Sequence, residues 1–471
     1  MSYHIPFEVS DYTYVQAMSA LQATKKFGIQ PLLESVSEML LELKNPDECF
    51  RSVQIAGTNG KTSTSRYTAA FLRGEGLKTA LYTSPELVKY TERMEIDGTP
   101  VTEEVFGHGI AAAVAAGKRV NAARIAADKR AYDITEFDLL TVAALTIFAE
   151  AGVDVAVLEC GMGGRWDATS AAKNITSVAI TGIGLDHTRI LGNTLEEIAG
   201  EKAAIIQRGR SCVLGVGTAT PVSVEEVFLS RAAEQGVAPT LLRVTDVCDV
   251  AGEMQEGVVR HHADLPCATF AITKHPTRLG FPLELTVKTP RATHRDLAAL
   301  KPRYQAANIA LALCLAEDFL DRPLDADKAF DAAIGCPTPG RFQLLRPDPL
   351  VLIDAAHNPQ SVATFLTAIR DVEPNPLHRP KLLTAVLADK DVFGIAELLA
   401  KEFPAVIVTQ TDSARALPAD ELAKIYRDLG TQVEGIFPTV EKAVRALAHE
   451  SYVACGTITL AGEVMSSLRG L

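Results

Sequence analysis

The sequence has no surplus of positive charge. Its 46 lysines and arginines are outnumbered by 58 aspartates and glutamates, which gives a formal net charge of -12 and a pI near 5.4. The basic residues are not clustered along the chain either. Nucleic acids and anionic membranes are therefore unsuitable partners, because both attract proteins through basic patches. An anionic substrate would instead be held by local groups such as helix N-termini, a divalent cation and a few arginines.

The sequence also lacks paired cysteines, a signal-peptide pattern in residues 1–8 and long apolar runs. Its eight cysteines are scattered without a Cys-x-x-Cys motif, and several lie in apolar stretches, which is typical of reduced core residues in a cytosolic protein. Residues 1–8 do not join a cationic region to an apolar one, and no uncharged run reaches transmembrane length. We therefore expect a soluble, cytoplasmic protein.

Two common enzyme signatures are missing as well. No Gly-x-Gly-x-x-Gly follows a predicted strand, which argues against a Rossmann dehydrogenase, and the Gly-x-Ser-x-Gly elbow of serine hydrolases does not occur. There is no internal repeat and no low-complexity tract. The 471 residues are enough for two large domains or about three of ordinary size.

What the sequence does contain is a nucleotide-binding pattern at residues 53–64. Val53 and Ile55 alternate in an apolar run that predicts a strand, and helix-forming residues follow from Ser65 to Leu72. The tight turn between them reads Gly57-Thr58-Asn59-Gly60-Lys61-Thr62. A strand, a glycine-rich loop and a helix start form an anion site, because the first amides of a helix are unpaired and lie at the positive end of its dipole.

Each residue type in this turn has a chemical use. Gly57 and Gly60 let the backbone come close to phosphate oxygens, Lys61 can reach the terminal phosphates, and the Thr62 hydroxyl can touch a magnesium ion. The first glycine stands closer to the lysine than in the full Walker pattern, so we interpret the turn as a shortened P-loop. The alternative is a glycine-rich turn with an incidental lysine.

Polar residues also follow other predicted strands. Glu159 ends the buried strand 153–158 and precedes a glycine-rich turn, which is the position of a Walker B type magnesium ligand; the alternative is a carboxylate that caps the turn. His187 follows the next strand, 175–183, although a lone histidine is often only a surface residue. Lys202 lies beside an apolar stretch in a predicted helix, 194–206, which is an unusual place for a lysine. The alternative is that Lys202 lies on a solvated face of this helix.

The remaining pattern predicts alternating helices and strands. Two helices lie within residues 12–44, and further helices cover 103–131, 135–150 and 309–319. A strand at 78–83 runs into the polar turn that begins at Ser84. Residues 207–300 are strand-like and interrupted by proline and glycine, and individual elements cannot be assigned there.

The best domain boundary is the segment from Cys336 to Phe342, where two prolines and a glycine stop a helical pattern. Beyond it, strands at 350–353, 382–387, 405–408, 433–437 and 452–460 alternate with helices. We predict an α/β protein with a P-loop-type doubly wound ATPase domain over residues 1–336 and a smaller, Rossmann-like α/β domain over 341–471. The polar strand ends of the second domain would face the nucleotide loop across a cleft.

Taken together, these stretches resemble the folate branch of the Mur ligase superfamily, the dihydrofolate synthase/folylpolyglutamate synthase family, nearly end to end. The supporting stretches are Lys26-Phe27-Gly28-Ile29, Gly57 to Thr62, Tyr82 to Leu87, Glu92-Arg93, Leu158 to Thr169, Asp186-His187, Glu201-Lys202-Ala203, Pro339 to Phe342, Asp354 to Pro359, Leu387 to Asp391 and Arg415 to Pro418. Each one is weak alone, whereas the ordered set is specific.

The resemblance implies roles for particular residues. It implies a central-type ATP-binding domain followed by a glutamate-ligase domain, and a monomer whose substrates are ATP, L-glutamate and a folate or dihydropteroate. The implied nucleotide contacts are Gly57, Thr58, Asn59, Gly60, Lys61, Thr62, Asn308, Arg341 and Asp354. The implied magnesium ligands are Ser84, Glu159 and His187, with Thr62 a further candidate.

The resemblance also implies the catalytic and substrate-binding groups. Lys202 stands at the family's carbamylated lysine, whose anionic carbamate can help to hold a second magnesium. The implied catalytic residues are Lys61, Lys202, Asp354 and His357, the last two near ATP and the incoming glutamate. From the chemistry of the reaction we further expect His357 to accept the amine proton, with Asp354 orienting it. The implied substrate contacts are Phe27, Thr83, Pro85, Arg165, Asp167, His357 and Ser413.

The sequence departs from the family pattern at a few positions. Thr62 follows the loop lysine where much of this branch has glycine, and Ala355 and Cys160 replace a glycine and an aliphatic residue. Three interpretations stay open: a folate enzyme, a Mur-type ligase acting on a non-folate carboxylate, and a nucleotide-gated NTPase that forms no amide bond. The sequence also leaves open whether a folate enzyme would make dihydrofolate, extend polyglutamate tails, or do both.

Overall fold

The computed structural model describes residues 3–24, 32–246, 262 and 264–469. Within these residues the chain forms two β-sheets flanked by helices, and none of the described helices is long and apolar enough to cross a membrane. The sequence prediction of an α/β fold with two sheets is confirmed.

The larger sheet has eleven described strands in the spatial order β11-β10-β9-β8-β7-β6-β1-β5-β2-β3-β4. Neighbours from β9 through β2 run parallel, whereas both edges of the sheet are antiparallel. The strands are β1 (Arg51–Ala56), β2 (Thr79–Tyr82), β3 (Met94–Ile96), β4 (Thr99–Pro100), β5 (Val155–Glu159), β6 (Ile175–Gly182), β7 (Ser211–Gly217), β8 (Thr240–Asp246), β9 (Cys267–Lys274), β10 (Leu283–Lys288) and β11 (Thr293–Ala299).

Helices cover both faces of this sheet. They are α1 (Tyr14–Gln22), α2 (Glu34–Glu42), α3 (Lys61–Gly74), α4 (Glu103–Ala126), α5 (Glu136–Ala151), α6 (Thr188–Leu191), α7 (Leu195–Ala203), α8 (Val222–Gln235), α9 (Tyr304–Leu320) and α10 (Ala326–Gly335). The period of two along β5 explains the two cores: Ala156 and Leu158 pack with α4 and α5, while Val155 and Val157 pack with α3 and α9.

The smaller sheet has six described strands in the order β12-β13-β17-β14-β15-β16, all parallel except β12. Its strands are β12 (Gln343–Pro347), β13 (Leu350–Asp354), β14 (Lys381–Thr384), β15 (Ala405–Thr409), β16 (Gln432–Phe437) and β17 (Tyr452–Cys455). Its helices are α11 (Pro359–Val372), α12 (Val392–Glu402), α13 (Ala419–Asp428), α14 (Val440–Ala446) and α15 (Ile458–Arg469). Separate apolar clusters form on the two faces of this sheet.

Several sequence expectations need correction. The run 452–460 is not one strand, because β17 ends where Gly456 adopts a φ of 137° and α15 begins two residues later. The strand expected at 382–387 ends at Thr384, and the helix expected at 103–131 ends at Ala126. The described part of residues 207–300 contains a helix, α8, in addition to five strands. Tertiary packing, which local patterns do not report, decides these boundaries.

Candidate active site

The nucleotide loop has the conformation that its glycines predicted. It leaves the buried strand β1 and enters α3 at Lys61, with Gly60 at a φ of 86°, where a side chain would be strained. No described side chain caps the first amides of α3, so these amides remain available to an anion. The Nζ atom of Lys61 donates to the carbonyl oxygens of Gly57 and Thr58 at 3.0 and 3.1 Å. The lysine is thus folded over the loop, where a phosphate could replace these carbonyls.

Glu159 lies beside this loop at the end of the neighbouring strand β5. The hydroxyl of Thr62 donates to its Oε1 at 2.9 Å, while its buried Oε2 has no partner among the described residues. Burial raises the pKa of Glu159, and the charge of Lys61 and the Thr62 hydroxyl oppose the rise. A buried, half-satisfied carboxylate next to a hydroxyl fits a divalent cation with oxygen ligands.

The predicted metal ligands are of mixed types. No group of three or more histidines, cysteines, aspartates or glutamates within the described ranges is arranged to hold a metal ion. Ser84 and His187 line the same cavity as Glu159 and Thr62. Hydroxyl and water oxygens would therefore have to complete the coordination of Mg²⁺, which commonly keeps several waters in proteins.

A cavity of about 480 Å³ opens between the two sheets and collects most of the predicted site residues. It is lined from one side by the nucleotide loop and from the other by the turn that follows β13. The predicted residues that line it are Thr58, Asn59, Gly60, Lys61, Thr62, Ser84, Pro85, Glu159, His187, Asn308, Arg341, Asp354 and His357. The two strand-end clusters thus face each other, as expected from the sequence.

The carboxylate of Asp354 accepts hydrogen bonds from the backbone around it. Its Oδ2 accepts the amide of Phe342 at 2.8 Å and the hydroxyl of Tyr304 at 3.3 Å, and its Oδ1 accepts the amide of Ala356 at 2.8 Å. Burial raises its pKa, and the charge of Arg341 opposes that rise. The carboxylate therefore joins the segment between the sheets to the turn after β13.

The expectation that Asp354 orients His357 is wrong. The Nδ1 atom of His357 lies 3.0 Å from the carbonyl oxygen of Ala355, which must accept a proton from it. The other ring nitrogen, Nε2, is then an acceptor in the neutral imidazole. Burial lowers the pKa of His357, and the positive charges of Arg341 and Lys390 lower it further. The ring is thus held in the neutral form that can take up a proton.

Lys202 lies behind the cavity rather than in its lining. Its side chain is buried in α7, and burial together with the charge of Lys61 lowers its pKa to about 8. Cys160 and Asp186 are among the groups whose charge acts on it. A buried lysine with a depressed pKa carries a sizeable fraction of neutral, nucleophilic amine near neutral pH.

Other predicted residues do not line the cavity. Phe27 lies outside the described residues. Arg165 pairs with Glu201 at 2.9 Å and faces a second, outer cavity. Asp167 is buried and accepts the amides of Met162 and Thr169, so it shapes the turn after β5.

Three more predicted residues also lie outside the lining. Thr83 is buried, Gly57 lies at the start of the nucleotide loop, and Ser413 is half-buried and accepts the amide of Arg415. Substrate contacts from these residues and from Arg165 and Asp167 stay predictions.

The cavity also contains residues that the sequence did not single out as site residues. Lys390 and Arg415 bring positive charge from the second sheet, and Tyr304 contacts Asp354. Thr457 and Thr459 line it at the start of α15, a region that the sequence suggested was a strand. The polar turn after β14 was a usable signal for Lys390, and the stretch Arg415 to Pro418 was one for Arg415, whereas nothing local pointed to the other three.

Comparisons with known proteins agree with this geometry. Residues 55–219 match the family model of the Mur ligase middle domain, and residues 340–462 match that of the Mur ligase glutamate ligase domain. The chain is 34% identical to a dihydrofolate synthase/folylpolyglutamate synthase of Mycobacterium tuberculosis over 413 residues, which cover 84% of this chain and 77% of that protein.

A second relative is longer than this chain. The chain is 33% identical over 424 residues to a probable bifunctional folylpolyglutamate synthase/dihydropteroate synthase of Haloferax volcanii, covering 89% of this chain but only 46% of that protein. Among solved structures, M. tuberculosis folylpolyglutamate synthase complexed with ADP and AMPPCP superposes with a TM-score of 0.80 at 28% identity. That match covers 96% of this chain and 97% of the other.

Proposed function

The chain belongs to the folylpolyglutamate synthase/dihydrofolate synthase family of Mur ligases, and on that basis we propose that it adds L-glutamate to the carboxylate of a folate or pteroate at the expense of ATP. The observation that carries this proposal is the single cavity lined by the nucleotide loop of the first sheet and by His357 and Lys390 of the second. Phosphate chemistry and amine chemistry can therefore meet in one place.

The reaction needs the acceptor carboxylate to be activated first. One of its oxygens attacks the γ-phosphorus of ATP, the bond from that phosphorus to the β,γ-bridging oxygen breaks, and ADP leaves. The glutamate amine then attacks the carbonyl carbon of the acyl phosphate, and inorganic phosphate departs. Lys61, the free amides of α3 and Arg341 would position the phosphates and offset their charge, which is most of what phosphoryl transfer requires.

Magnesium belongs to the proposal together with ATP. Glu159 would hold the ion through its unpartnered oxygen, and Thr62, Ser84 and His187 line the same cavity. When bound, the ion would neutralise charge on the phosphates. A second ion would require an anionic Lys202, and a carbamate on its amine would supply that charge.

The amine that attacks the acyl phosphate must lose a proton. Nε2 of His357 is the acceptor that the geometry offers, because Nδ1 is held by the carbonyl oxygen of Ala355. The buried ring stays neutral at physiological pH and can therefore act as a base. Closure of the two sheets on the cavity would keep water away from the acyl phosphate.

Other features belong to the proposal as well. We propose domains over residues 1–336 and 341–471, a monomer, and a cytoplasmic location in keeping with the free cysteines of the described chain. We also propose substrate contacts from Phe27, Thr83, Pro85, Arg165, Asp167 and Ser413.

The deciding experiment measures phosphate release from ATP and Mg²⁺ by the purified protein. Dihydropteroate, tetrahydrofolate and a UDP-muramyl peptide would each be tested with and without L-glutamate. We expect turnover with one or both pterin acceptors, and only when glutamate is present. Turnover with the muramyl peptide alone would indicate a ligase of non-folate carboxylates, and equal turnover without any acceptor would indicate an NTPase that forms no amide bond.

A further inference from the structure

Lys301 is a buried cation that holds the backbone between the two sheets. It follows β11 and precedes α9, and its side chain is only 9% exposed. Its Nζ atom lies 3.1 Å from the carbonyl oxygen of Arg341 and 3.5 Å from that of Phe342. A residue of the connection between β11 and α9 thus donates to the main chain of the segment that leads into the second sheet.

The same segment is fastened to the second sheet by its neighbouring backbone groups. The carbonyl oxygen of Gly340 accepts the amide of Ala355 at 2.7 Å, and the amide of Phe342 donates to Asp354 at 2.8 Å. Phe342 has a φ of 46°, which is a costly conformation for a bulky residue. Contacts on both sides of the segment therefore hold a strained backbone in one arrangement.

Burying a lysine at position 301 has a free-energy cost. Burial lowers its pKa to about 8, and the nearby charge of Asp354 favours the protonated form without a hydrogen bond between the two. A neutral side chain would avoid this cost but would leave two buried carbonyl oxygens with fewer donors. The cation therefore has a use in holding these two carbonyls.

Arg341 is the residue whose position depends most directly on these contacts. Its side chain lines the cavity, and its charge acts on Glu159, Asp354 and His357. A shift of its backbone would move a guanidinium that lines the cavity and whose charge acts on Glu159 beside the nucleotide loop. Small displacements of such groups can cost about 100-fold in rate.

We propose that Lys301 is a positioning residue that fixes the backbone of Arg341, and thereby sets the Arg341 guanidinium against the transferring phosphate. This inference rests on the proposed ligase function, because its effect is read in that reaction. It assigns Lys301 no contact with substrate. Its influence passes through Arg341 alone.

The test compares Lys301→Met with the wild-type protein. We expect kcat for glutamate-dependent turnover to fall by roughly 10- to 100-fold. The dissociation constant for ADP, measured by calorimetry, should change by less than about threefold, because the amides of α3 still bind its phosphates. Leu297→Ala is the matched control: it opens a cavity at a buried side chain of β11, and should lower the melting temperature with little effect on kcat at low temperature.

A double-mutant cycle tests whether the effect passes through Arg341. In an Arg341→Ala background, Lys301→Met should cost less than about threefold in kcat, because the group that it positions is gone. The same loss in both backgrounds, or an unchanged kcat in the single variant, would overturn the proposal.

Two further variants cover the case in which the methionine protein does not fold. Lys301→Arg keeps a cation with several donors and should retain kcat within about fivefold, whereas Lys301→Gln has a shorter reach and should fall well below it. Equal kcat in both variants would overturn the proposal. Wild-type protein that shows no glutamate-dependent turnover would instead refute the proposed function, so the two failures are distinguishable.

Discussion

The side-chain amide of Asn59 donates a 3.1 Å hydrogen bond to Oε1 of Gln360, which lies 301 residues further along the chain. Asn59 belongs to the nucleotide loop of the first sheet, and Gln360 belongs to the first turn of α11 in the second. The contact therefore bridges the two parts of the chain and joins the loop that would hold phosphate to the domain expected to bind glutamate. It is exposed, so water competes for both groups.

Gln360→Ala should affect turnover more than stability. A single exposed hydrogen bond contributes roughly 0.5–1.5 kcal/mol, which corresponds to a change of about two- to tenfold if the bond forms only in the closed enzyme. We expect kcat to fall by that amount while the melting temperature stays within about 1 °C. The measurement is steady-state kinetics beside calorimetric unfolding. A lower melting temperature with unchanged kcat would show that the contact is merely structural.

Glu159→Gln should abolish the response to magnesium. Loss of the buried carboxylate should lower turnover at least about 100-fold, and Mg²⁺ should raise the melting temperature of the wild-type protein but not of the variant. Because the pKa of Glu159 is raised in the fold, its ionised form costs stability at pH 7, so the metal-free variant should be at least as stable as the wild type.

Glu95→Gln is the control for this substitution. Glu95 is a buried glutamate paired with Arg66 at 2.7 Å, outside the cavity. Its replacement should lower the melting temperature and leave the magnesium dependence intact. Wild-type turnover in Glu159→Gln would refute the metal assignment.

Lys202 should react with carbon dioxide at mildly alkaline pH. Because the pKa of Lys202 is about 8, half of its amine is neutral at pH 8, and the neutral fraction rises as the pH increases. Protein equilibrated with ¹³C-bicarbonate at pH 8 should therefore show a carbamate carbon signal by NMR. The signal should be absent in Lys202→Arg. It should persist in Lys301→Arg, because the Lys301 amine, although it has a similar pKa, donates to two carbonyl oxygens. A signal that survives in Lys202→Arg would contradict the assignment.

His357 should control the acidic limb of the pH–rate profile. Its pKa is lowered from the ordinary histidine value of 6.5, so the neutral ring that accepts the amine proton predominates at all higher pH. Turnover at saturating substrate should rise as the pH passes through this lowered pKa and should be flat near neutrality. His357→Gln should reduce kcat by roughly 100-fold and remove the limb. An unchanged limb in the variant would assign the titration to another group.

Gly60→Ala should damage nucleotide binding. At its φ of 86°, an added Cβ would be strained and would lie 2.5 Å from Oδ1 of Asn308. We expect the dissociation constant for ADP to rise at least about tenfold, measured by calorimetry. Gly76→Ala is the control, because its φ of 92° is equally unfavourable but no atom of the described residues lies within 4 Å of the new methyl group. Equal losses of affinity in both proteins would show that strain alone, rather than the site, is responsible.

Local pattern was sufficient for much of the fold and part of the site. The buried run of β1, the glycines of the loop and the acidic end of β5 identified a phosphate site because each signal lies within about ten residues. The individual strands of residues 207–300 could not be assigned from the sequence. These strands pair mainly with one another, and the register shifts within several of the pairs. The role of Asp354 was misjudged because its partners, Phe342 and Tyr304, are set by the fold and not by the neighbouring sequence.

The sequence by itself determined that the chain is an α/β protein with a phosphate-binding loop and two groups of polar strand ends, because these features depend on residue types and short spacings along the chain. Only the tertiary structure decided that the two groups share one cavity, that Lys202 lies behind it, and that Lys301 holds the backbone of Arg341. Contacts of this kind join residues that are tens to hundreds of positions apart. Their geometry follows from how the sheets and helices pack, which no local periodicity encodes.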